Sequence, residues 1–284
     1  MPDPALKSEL PDSFQFSQSS LQDYADCPRL FQLRYIERLA WPAIEMEPVL
    51  ENERRRTAGE RFHRMVQQHL IGLPVEKLNA LPDTPELARW WSNYLEEANN
   101  IVGPQGQGRL YVEKILSAPV GAYHLIAKYD LLLLSSNGKA IIYDWKTSRK
   151  RPREEWMKGR LQTRVYPAML VQAGGYLNQG WPIEPEQVEM VYWFAEHPKV
   201  PVRFAYTSGQ YQRDWDGLYG MIQEISHHRF FTPSEEARTC PYCSYRSYCN
   251  RGEKAGLSED FEATDEAVGG EFDIDFEQVA EIEF

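Results

Sequence analysis

Apolar residues recur every three or four positions in several stretches of the chain, a spacing that predicts amphipathic helices. Residues 17–35 show this pattern, with a break expected at Pro28 because proline interrupts a helix. Residues 40–52 contain proline and are expected to be irregular, and residues 57–73 predict the next helix. A threonine cap followed by proline opens a further helix at residues 84–98.

Further along the chain the apolar period changes to two, which predicts β-strands. Strands are expected at residues 109–117, 122–134, 140–147, 187–195 and 202–206. Helices are expected at residues 154–171 and 210–229. Asn137-Gly138 is a favoured hairpin turn between the second and third strands. This order predicts an α/β fold with a central mixed β-sheet flanked by helices.

The composition is that of an ordinary globular protein, with 284 residues of which 42% are hydrophobic. No apolar run approaches the length of a membrane span, and the first residues do not resemble a signal peptide. These features predict a cytoplasmic protein without membrane contact. We expect a flexible lead at residues 1–16, one domain at residues 17–254 and a disordered acidic tail at residues 255–284.

The net charge of −11 comes from the end of the chain. Residues 259–284 hold 11 acidic and no basic residues, which leaves 31 acidic and 31 basic residues elsewhere. Within this neutral body, residues 146–164 carry eight basic and two acidic residues. A solvated loop is one interpretation. We favour a phosphate-binding patch, with DNA contacts from Arg149, Lys150, Arg151 and Arg153.

Four cysteines are present, and three of them lie within ten residues. Cys240, Cys243 and Cys249 have the CxxC spacing of ligands to a metal or an iron–sulfur centre, while Cys27 lies near the other end of the chain. Since structural disulfides are disfavoured in the cytoplasm, a metal site is preferred to a disulfide framework. Spacing alone leaves zinc and iron–sulfur open. A centre that included Cys27 would tie the two ends of the fold together.

The third predicted strand carries a candidate for catalysis. Asp144 and Lys146 share one face of it, because side chains alternate along a strand. A carboxylate that holds a divalent cation beside an ammonium group that orients water suits phosphodiester hydrolysis. For so short a motif, an ordinary ion pair is the other interpretation.

The register of the predicted hairpin decides whether Asp130 can join Asp144. A two-residue loop would place Asp130 opposite Trp145, on the wrong face of the sheet. A three-residue loop, with Gly138 left-handed in a bulge, places Asp130 opposite Asp144. We predict the second register, because two facing carboxylates repel unless they share a cation.

Three helical side chains and one strand residue complete the candidate set. His63 could supply an imidazole ligand, although a single helical histidine is more often structural. Gln162 and Tyr166 lie one helical turn apart and could contact a phosphate or a nucleobase. Glu113, on the first predicted strand, would either support the site or lie on a solvated face.

Taken in order, the candidates resemble the motif series of RecB-like nucleases in the PD-(D/E)XK superfamily. The positions that carry the resemblance are His63, Asp130, Asp144-x-Lys146 and Gln162-x-x-x-Tyr166. The cysteine segments resemble the iron–sulfur branch of that family, which includes CRISPR-associated nucleases of spacer acquisition and AddB-type helicase–nuclease subunits. The resemblance spans roughly residues 17–251. One departure is Asp144, where many relatives have glutamate.

The resemblance implies a restriction-endonuclease-like core and a [4Fe–4S] cluster on the four cysteines. It implies Mg²⁺ or Mn²⁺ held by His63, Asp130 and Asp144, with Lys146 catalytic and the Gln–Tyr pair contacting DNA or supporting the site. The activity would be that of a metal-dependent deoxyribonuclease acting on single strands or ends. Its setting would be DNA repair or recombination, or CRISPR adaptation.

Two other hypotheses remain open. A non-catalytic nuclease-fold subunit would bind DNA or clamp a partner, and a zinc-stabilised nucleic-acid-binding module would contain zinc in place of iron. No GxxxxGK[ST] motif is present, so a helicase or integrase partner would be a separate chain. The acidic tail could solubilise the protein, occupy the DNA groove or dock on a partner.

Overall fold

The computed structural model describes residues 10–39, 49–102, 108–136, 138–235 and 237–251. Its strands form one mixed sheet in the order β1-β3-β4-β5-β6, with β2 also paired to β3. The β1–β3 and β4–β5 pairs are parallel, and the other pairs are antiparallel. The strands are β1 (Gln15–Phe16), β2 (Gly108–Val120), β3 (Tyr123–Ser135), β4 (Ala140–Lys146), β5 (Val188–Phe194) and β6 (Val202–Ala205).

Helices cover both faces of the sheet. The α-helices are α1 (Gln18–Asp26), α2 (Pro28–Phe31), α3 (Val49–Leu70), α4 (Val75–Leu78), α5 (Pro85–Val102), α6 (Glu154–Gly159), α7 (Leu161–Ala173) and α8 (Ser208–His227). A π-helical turn follows α2 at Gln32–Ile36, and short 3-10 turns lie at Gly174–Asn178, Pro185–Gln187, Ala237–Tyr242 and Arg246–Cys249. Within the described ranges, none of the helices combines the length and apolarity needed to cross a membrane.

Two hydrophobic cores lie on opposite faces of the sheet. On one face, Phe62 of α3 and Trp90 of α5 pack against Trp145 and Trp193 of the central strands. On the other face, α7 and α8 pack over Tyr129 and its neighbours on β3 to β5. This architecture confirms the predicted α/β class with a mixed sheet between helices.

The ends of several helices follow from local chemistry. Ser17 caps α1 and forms a reciprocal capping box with Ser20, and Thr84 accepts a hydrogen bond from the backbone of Leu87 at the start of α5. The predicted helix at residues 154–171 is two helices, because Arg160 adopts an extended conformation between α6 and α7.

The predicted start of α3 at residue 57 is wrong by eight residues. The helix begins at Val49, so residues 49–52 are helical and not irregular. Residues 51–56 are Glu, Asn and Arg, which lack apolar periodicity, although Glu and Arg have good helix propensity. The remainder of the stretch expected to be irregular, residues 40–48, lies outside the described residues.

The flexible lead expected at residues 1–16 overlaps with β1, so its last two residues belong to the sheet. Gln15 and Phe16 pair in parallel with His124 and Leu125 of β3, and the Phe16 side chain is fully buried. Burial of this aromatic ring explains why the short segment joins the sheet. Residues 1–9 and the acidic tail at 255–284 lie outside the described residues.

The hairpin between β3 and β4 has the predicted register. Leu131 pairs with Tyr143 and Leu134 with Ala140, and the Ser135 N–H donates to the Lys139 carbonyl at 2.8 Å. Gly138 has a φ of +84°, which is left-handed. The three-residue loop with a left-handed glycine is therefore confirmed, and with it the alignment of the two strands.

We expect Gly138→Ala to lower the free energy of unfolding by about 1–2 kcal/mol, because an L-residue is strained at positive φ. Gly220→Ala is the control, since Gly220 lies in α8 with open space around it. That substitution is expected to raise stability by about 0.5–1 kcal/mol through higher helix propensity. Urea denaturation measures both. Equal effects of the two substitutions would contradict the turn geometry.

Candidate active site

The candidate site lies where β4 separates from β3. Pairing between these strands ends at Leu131 and Tyr143, and the same register continued by one pair sets Asp130 across from Asp144. The Trp145 N–H donates to Asp130 Oδ2 at 2.9 Å. A side-chain carboxylate of β3 thus takes a backbone donor of β4 at the point of separation. The two strands deliver both carboxylates to one place.

Asp144, Lys146 and Gln162 form a closed triangle of polar contacts. Gln162, on α7, donates from Nε2 to Asp144 Oδ1 at 2.6 Å and accepts from Lys146 Nζ at 2.9 Å. Lys146 Nζ also lies 3.1 Å from Asp144 Oδ2. Beyond this ion-pair contact, the buried Asp144 Oδ2 receives no hydrogen bond of good geometry from the described residues. One carboxylate oxygen therefore has unused capacity as an acceptor.

His63 reaches the site because α3 lies very close to the end of β4. A Cβ atom on Gly59 would stand 2.9 Å from Thr147 Oγ1, so glycine permits this approach. One turn later, His63 Nδ1 lies 3.5 Å from Asp130 Oδ2. The sequence prediction grouped His63 with the two aspartates, and the structure places it beside Asp130.

The two aspartates have opposite electrostatic environments. Burial raises the pKa of Asp144 to about 6, and the charge of Asp130 adds to this while Lys146 opposes it. Burial also acts to raise the pKa of Asp130, but His63 and the Trp145 N–H outweigh it, so the pKa is lowered. Burial acts to lower the pKa of His63, but the negative charge of Asp130 outweighs this effect, so the pKa is raised. His63 and Asp130 therefore stabilise each other as an ion pair.

Tyr166 is buried in the core between α7 and the sheet. Its side chain is buried, its ring centroid is 5.1 Å from that of Tyr129, and its carbonyl accepts from the Tyr129 hydroxyl at 2.9 Å. Of the two roles expected for Tyr166, this buried position favours support of the site. The partner residue Gln162 carries the polar contacts.

Two supporting residues were not found from the sequence. Gln22 of α1 accepts from the Leu161 N–H at 3.1 Å and so caps the first turn of α7, one residue before Gln162. Tyr192 of β5 lies under Lys146, with Nζ 5.5 Å from the ring centroid. Tyr192 is the Cα partner of Asp144 across the parallel strands, so a correct β4–β5 register would have indicated it.

The basic segment after β4 is partly neutralised by acidic neighbours. Arg151 pairs with Glu154 at 2.7 Å, and Arg149 lies 3.8 Å from Glu86. Lys150 and Arg153 are exposed. Among the other basic residues of this segment, Arg160 lies 3.7 Å from Asp26 and Arg164 lies 2.8 Å from Asp214. The local positive charge is therefore weaker than the sequence count indicates.

The fold brings Cys27 into the neighbourhood of the three C-terminal cysteines, and all four are free thiols. Burial raises the pKa of Cys243 to about 12, with further increases from the negative charges of Cys27, Cys249 and Cys240. The Ser234 N–H donates to Cys27 Sγ at 3.3 Å. The C-terminal segment also packs on the N-terminal one, since the Tyr245 hydroxyl donates to the Leu39 carbonyl at 2.9 Å.

Two groups of side chains are candidates to hold a metal: His63 with the two aspartates, and the four cysteines. In the part of the chain that the structure describes, no three His, Cys, Asp or Glu side chains are arranged to hold a metal ion. The donor chemistry of His63, Asp130 and Asp144 nonetheless fits Mg²⁺ or Mn²⁺, and Asp144 Oδ2 has acceptor capacity to spare. The four thiols fit zinc or an iron–sulfur cluster.

We expect Gln162→Met to lower the free energy of unfolding by about 1–3 kcal/mol, because it leaves the buried Asp144 and Lys146 without their shared partner. Gln172→Met, at an exposed position of the same helix, is the control; it removes one exposed hydrogen bond, donated by the Tyr211 hydroxyl, and is expected to change stability by less than about 1 kcal/mol. Urea denaturation measures both variants. A Gln162 variant as stable as the control would contradict the triangle of contacts.

The comparison with known proteins found two similar solved structures. Among solved structures, the chain is similar to the protein SSO0001, with 14% identity, a TM-score of 0.38 and coverage of 83% of this chain and 85% of the other. It is also similar to a predicted exonuclease from Eubacterium rectale, with 11% identity, a TM-score of 0.49 and coverage of 88% and 91%. No curated protein matches the chain.

The model of one protein family matches residues 15–250, which include every described strand and the whole candidate site. That family is described as the PD-(D/E)XK nuclease superfamily. Its members generally use Mg²⁺ or Mn²⁺, in agreement with the donor set of two carboxylates and an imidazole. The chain belongs to the PD-(D/E)XK nuclease superfamily.

Proposed function

We propose that this protein is a metal-dependent deoxyribonuclease that hydrolyses phosphodiester bonds in single-stranded DNA or at DNA ends. One observation carries the proposal: Asp130, Asp144 and Lys146 converge where β3 and β4 separate, with Gln162 joining the second and third of them. A structural ion pair needs no second carboxylate at such a point, whereas a cation-dependent hydrolase does.

His63, Asp130 and Asp144 are the residues that would hold the divalent cation. When bound, Mg²⁺ or Mn²⁺ supplies Lewis acidity to the scissile phosphate and favours ionisation of water. The high pKa of Asp144 is consistent with this role, since a cation would replace the proton that burial favours. In the metal-free chain, His63 pairs with Asp130 from the side of α3; as a ligand it would release its proton and act as a neutral imidazole.

Lys146 is the proposed catalytic cation of the chain itself. Its ammonium group is held by Gln162 and lies over the Tyr192 ring, so its position is fixed from two sides. A fixed ammonium group can donate to the attacking water and stabilise the negative charge that develops on the phosphorus oxygens. Gln162 acts as a positioning residue because it bonds both the lysine and the metal carboxylate.

DNA would be held by the basic segment that follows β4. Arg149, Lys150, Arg151 and Arg153 begin three residues after Lys146, and three of them, Arg149, Lys150 and Arg153, are exposed to solvent where phosphates could approach. Contacts of this kind are independent of base sequence and weaken with salt. This suits a nuclease that degrades DNA without sequence preference.

The cysteines are proposed to bind a [4Fe–4S] cluster, as in the iron–sulfur branch of the RecB-like nucleases that the sequence resembles. The proximity of Cys27 to the C-terminal cysteines supports a shared centre, and zinc is the competing occupant. The cellular setting is proposed to be DNA repair or CRISPR adaptation, with a helicase or integrase as a separate partner. The acidic tail would dock on that partner or on the DNA groove.

We expect wild-type protein purified under anaerobic conditions to degrade end-labelled single-stranded DNA with Mn²⁺ or Mg²⁺. Asp144→Asn and Lys146→Met are expected to reduce the rate by at least about 100-fold, because they remove a metal ligand and the stabilising charge. Asp216→Asn, at an exposed position of α8, is the matched control and should retain activity. Equal rates for all four proteins, or no cleavage by any, would leave a non-catalytic DNA-binding subunit as the better proposal.

We expect the purified protein to contain about four iron and four sulfide ions per chain, with the broad visible absorption of an iron–sulfur cluster. Cys27→Ser and Cys243→Ser should each lose iron together with thermal stability, because the centre joins segments more than 200 residues apart. Elemental analysis and thermal unfolding measure these effects. A colourless protein with one zinc ion would replace the cluster by a zinc site, and a metal-free stable protein would contradict both.

A further inference from the structure

In the middle of β3, the alternation of side chains between the two faces of the sheet shifts by one residue. Before Asp130, its residues Leu125, Ala127 and Tyr129 belong to the core under α7. Beyond Asp130, the odd-numbered residues Leu131 and Leu133 belong to the opposite core, under α3 and α5. Strict alternation along a strand would keep all odd-numbered residues on one face. The alternation is therefore interrupted at Asp130.

The neighbouring strand β2 changes its facing at the same level. Leu116 and Ala118 contact the core under α7, as does Tyr111, whereas Val112 contacts the opposite core. The pairing register is nevertheless the same on both sides, since Val112 pairs with Leu131 and Lys114 with Tyr129. The interruption lies at the one position between these two, Glu113 and Asp130, which the register skips.

Glu113 has the backbone conformation that accounts for this change. Its φ is +52°, and it lies within an otherwise extended strand of 13 residues. Glutamate rarely adopts left-handed backbone geometry, and such residues persist only where the surrounding structure holds them, often at functional sites. Here the Glu113 side chain is held by an ion pair with Lys128 at 2.5 Å.

The change of facing determines what Asp130 can do. With the alternation of Leu125, Ala127 and Tyr129 continued, Asp130 would face only α3 and the core beneath it. With the interruption, the Asp130 carboxylate lies between the two facings: it is 3.5 Å from His63 of α3 and accepts from the Trp145 N–H of β4. A single left-handed residue on β2 therefore separates two arrangements of the carboxylates.

We propose that Glu113 is a positioning residue for the metal site, whose left-handed backbone sets the direction in which the Asp130 side chain projects. The inference rests on the proposed function, in which Asp130 and Asp144 hold a divalent cation. It assigns the role to the backbone conformation of Glu113, and not to its carboxylate. Residues that accept left-handed geometry should therefore replace it, and β-branched residues, which favour extended geometry, should not.

The experiment compares Glu113→Val, Glu113→Gly and the control Ser117→Val, which adds the same side chain at an exposed position of β2. Binding of Mn²⁺ is measured from the electron paramagnetic resonance of free Mn²⁺. Hydrogen exchange of the Trp145 amide is measured in metal-free protein, because this N–H is donated to Asp130. The second measurement reports the position of Asp130 without any metal.

Glu113→Val is expected to weaken Mn²⁺ binding by about 10-fold or more and to speed exchange of the Trp145 amide. Glu113→Gly and Ser117→Val should match the wild type in both. Wild-type binding and exchange in Glu113→Val would overturn the inference, as would loss of Mn²⁺ binding in folded Glu113→Gly, which would assign the role to the carboxylate. The glycine variant decides the question even where the valine variant does not fold. Failure of wild-type protein to bind Mn²⁺ would instead remove the proposed function, while the exchange measurement would still test the geometry.

Discussion

The separation of β3 from β4 beyond Leu131 is the constraint on which the candidate site depends. Where two paired strands part, their backbone donors and acceptors need other partners, because unpaired buried groups are strongly unfavourable. Here the Trp145 N–H is taken by the carboxylate of Asp130. That bond fixes Asp130 at the end of the strand pair and leaves Asp144, one residue earlier on β4, directly beside it. The same hydrogen bond, from the Trp145 N–H to Asp130, satisfies the backbone donor and places the two acids side by side.

The polar groups around these acids divide into two sets that hold them in unlike states. Asp130 lies 3.5 Å from His63 Nδ1 and accepts a hydrogen bond from a backbone amide, and both favour its negative charge. Asp144 lies deeper, between a lysine and the amide of Gln162, and burial favours its neutral form. Two acids so close in space would otherwise compete for the same proton. Asp130 is therefore held as a carboxylate, and Asp144 would be held ionised once a cation binds.

The sequence was sufficient for the parts of the fold that depend on periodicity and turn chemistry. It predicted the α/β class, the cap at Thr84 and the register around Gly138, because each depends on local residue types. It did not predict the start of α3 in a polar stretch, or that Gln15 and Phe16 join the sheet, since two residues carry no periodicity. Tyr166 and Gln22 show the further limit. Which side of α7 meets the sheet, and which helix caps it, are decided by long-range packing.

The cap on α7 has a consequence for how the protein is made. The Leu161 N–H is bonded by Gln22, 139 residues earlier in the chain, and α1 is in turn held by the Tyr24 hydroxyl to Glu224 at 2.7 Å. A ribosome releases the N-terminal segment long before α7 and α8 exist. During that interval Asp144 and Lys146 lack the Gln162 amide that joins them. A chain extended only to the end of β4 would thus carry both aspartates and the lysine of the site without their shared partner, and the arrangement can form only after α7 has been synthesised.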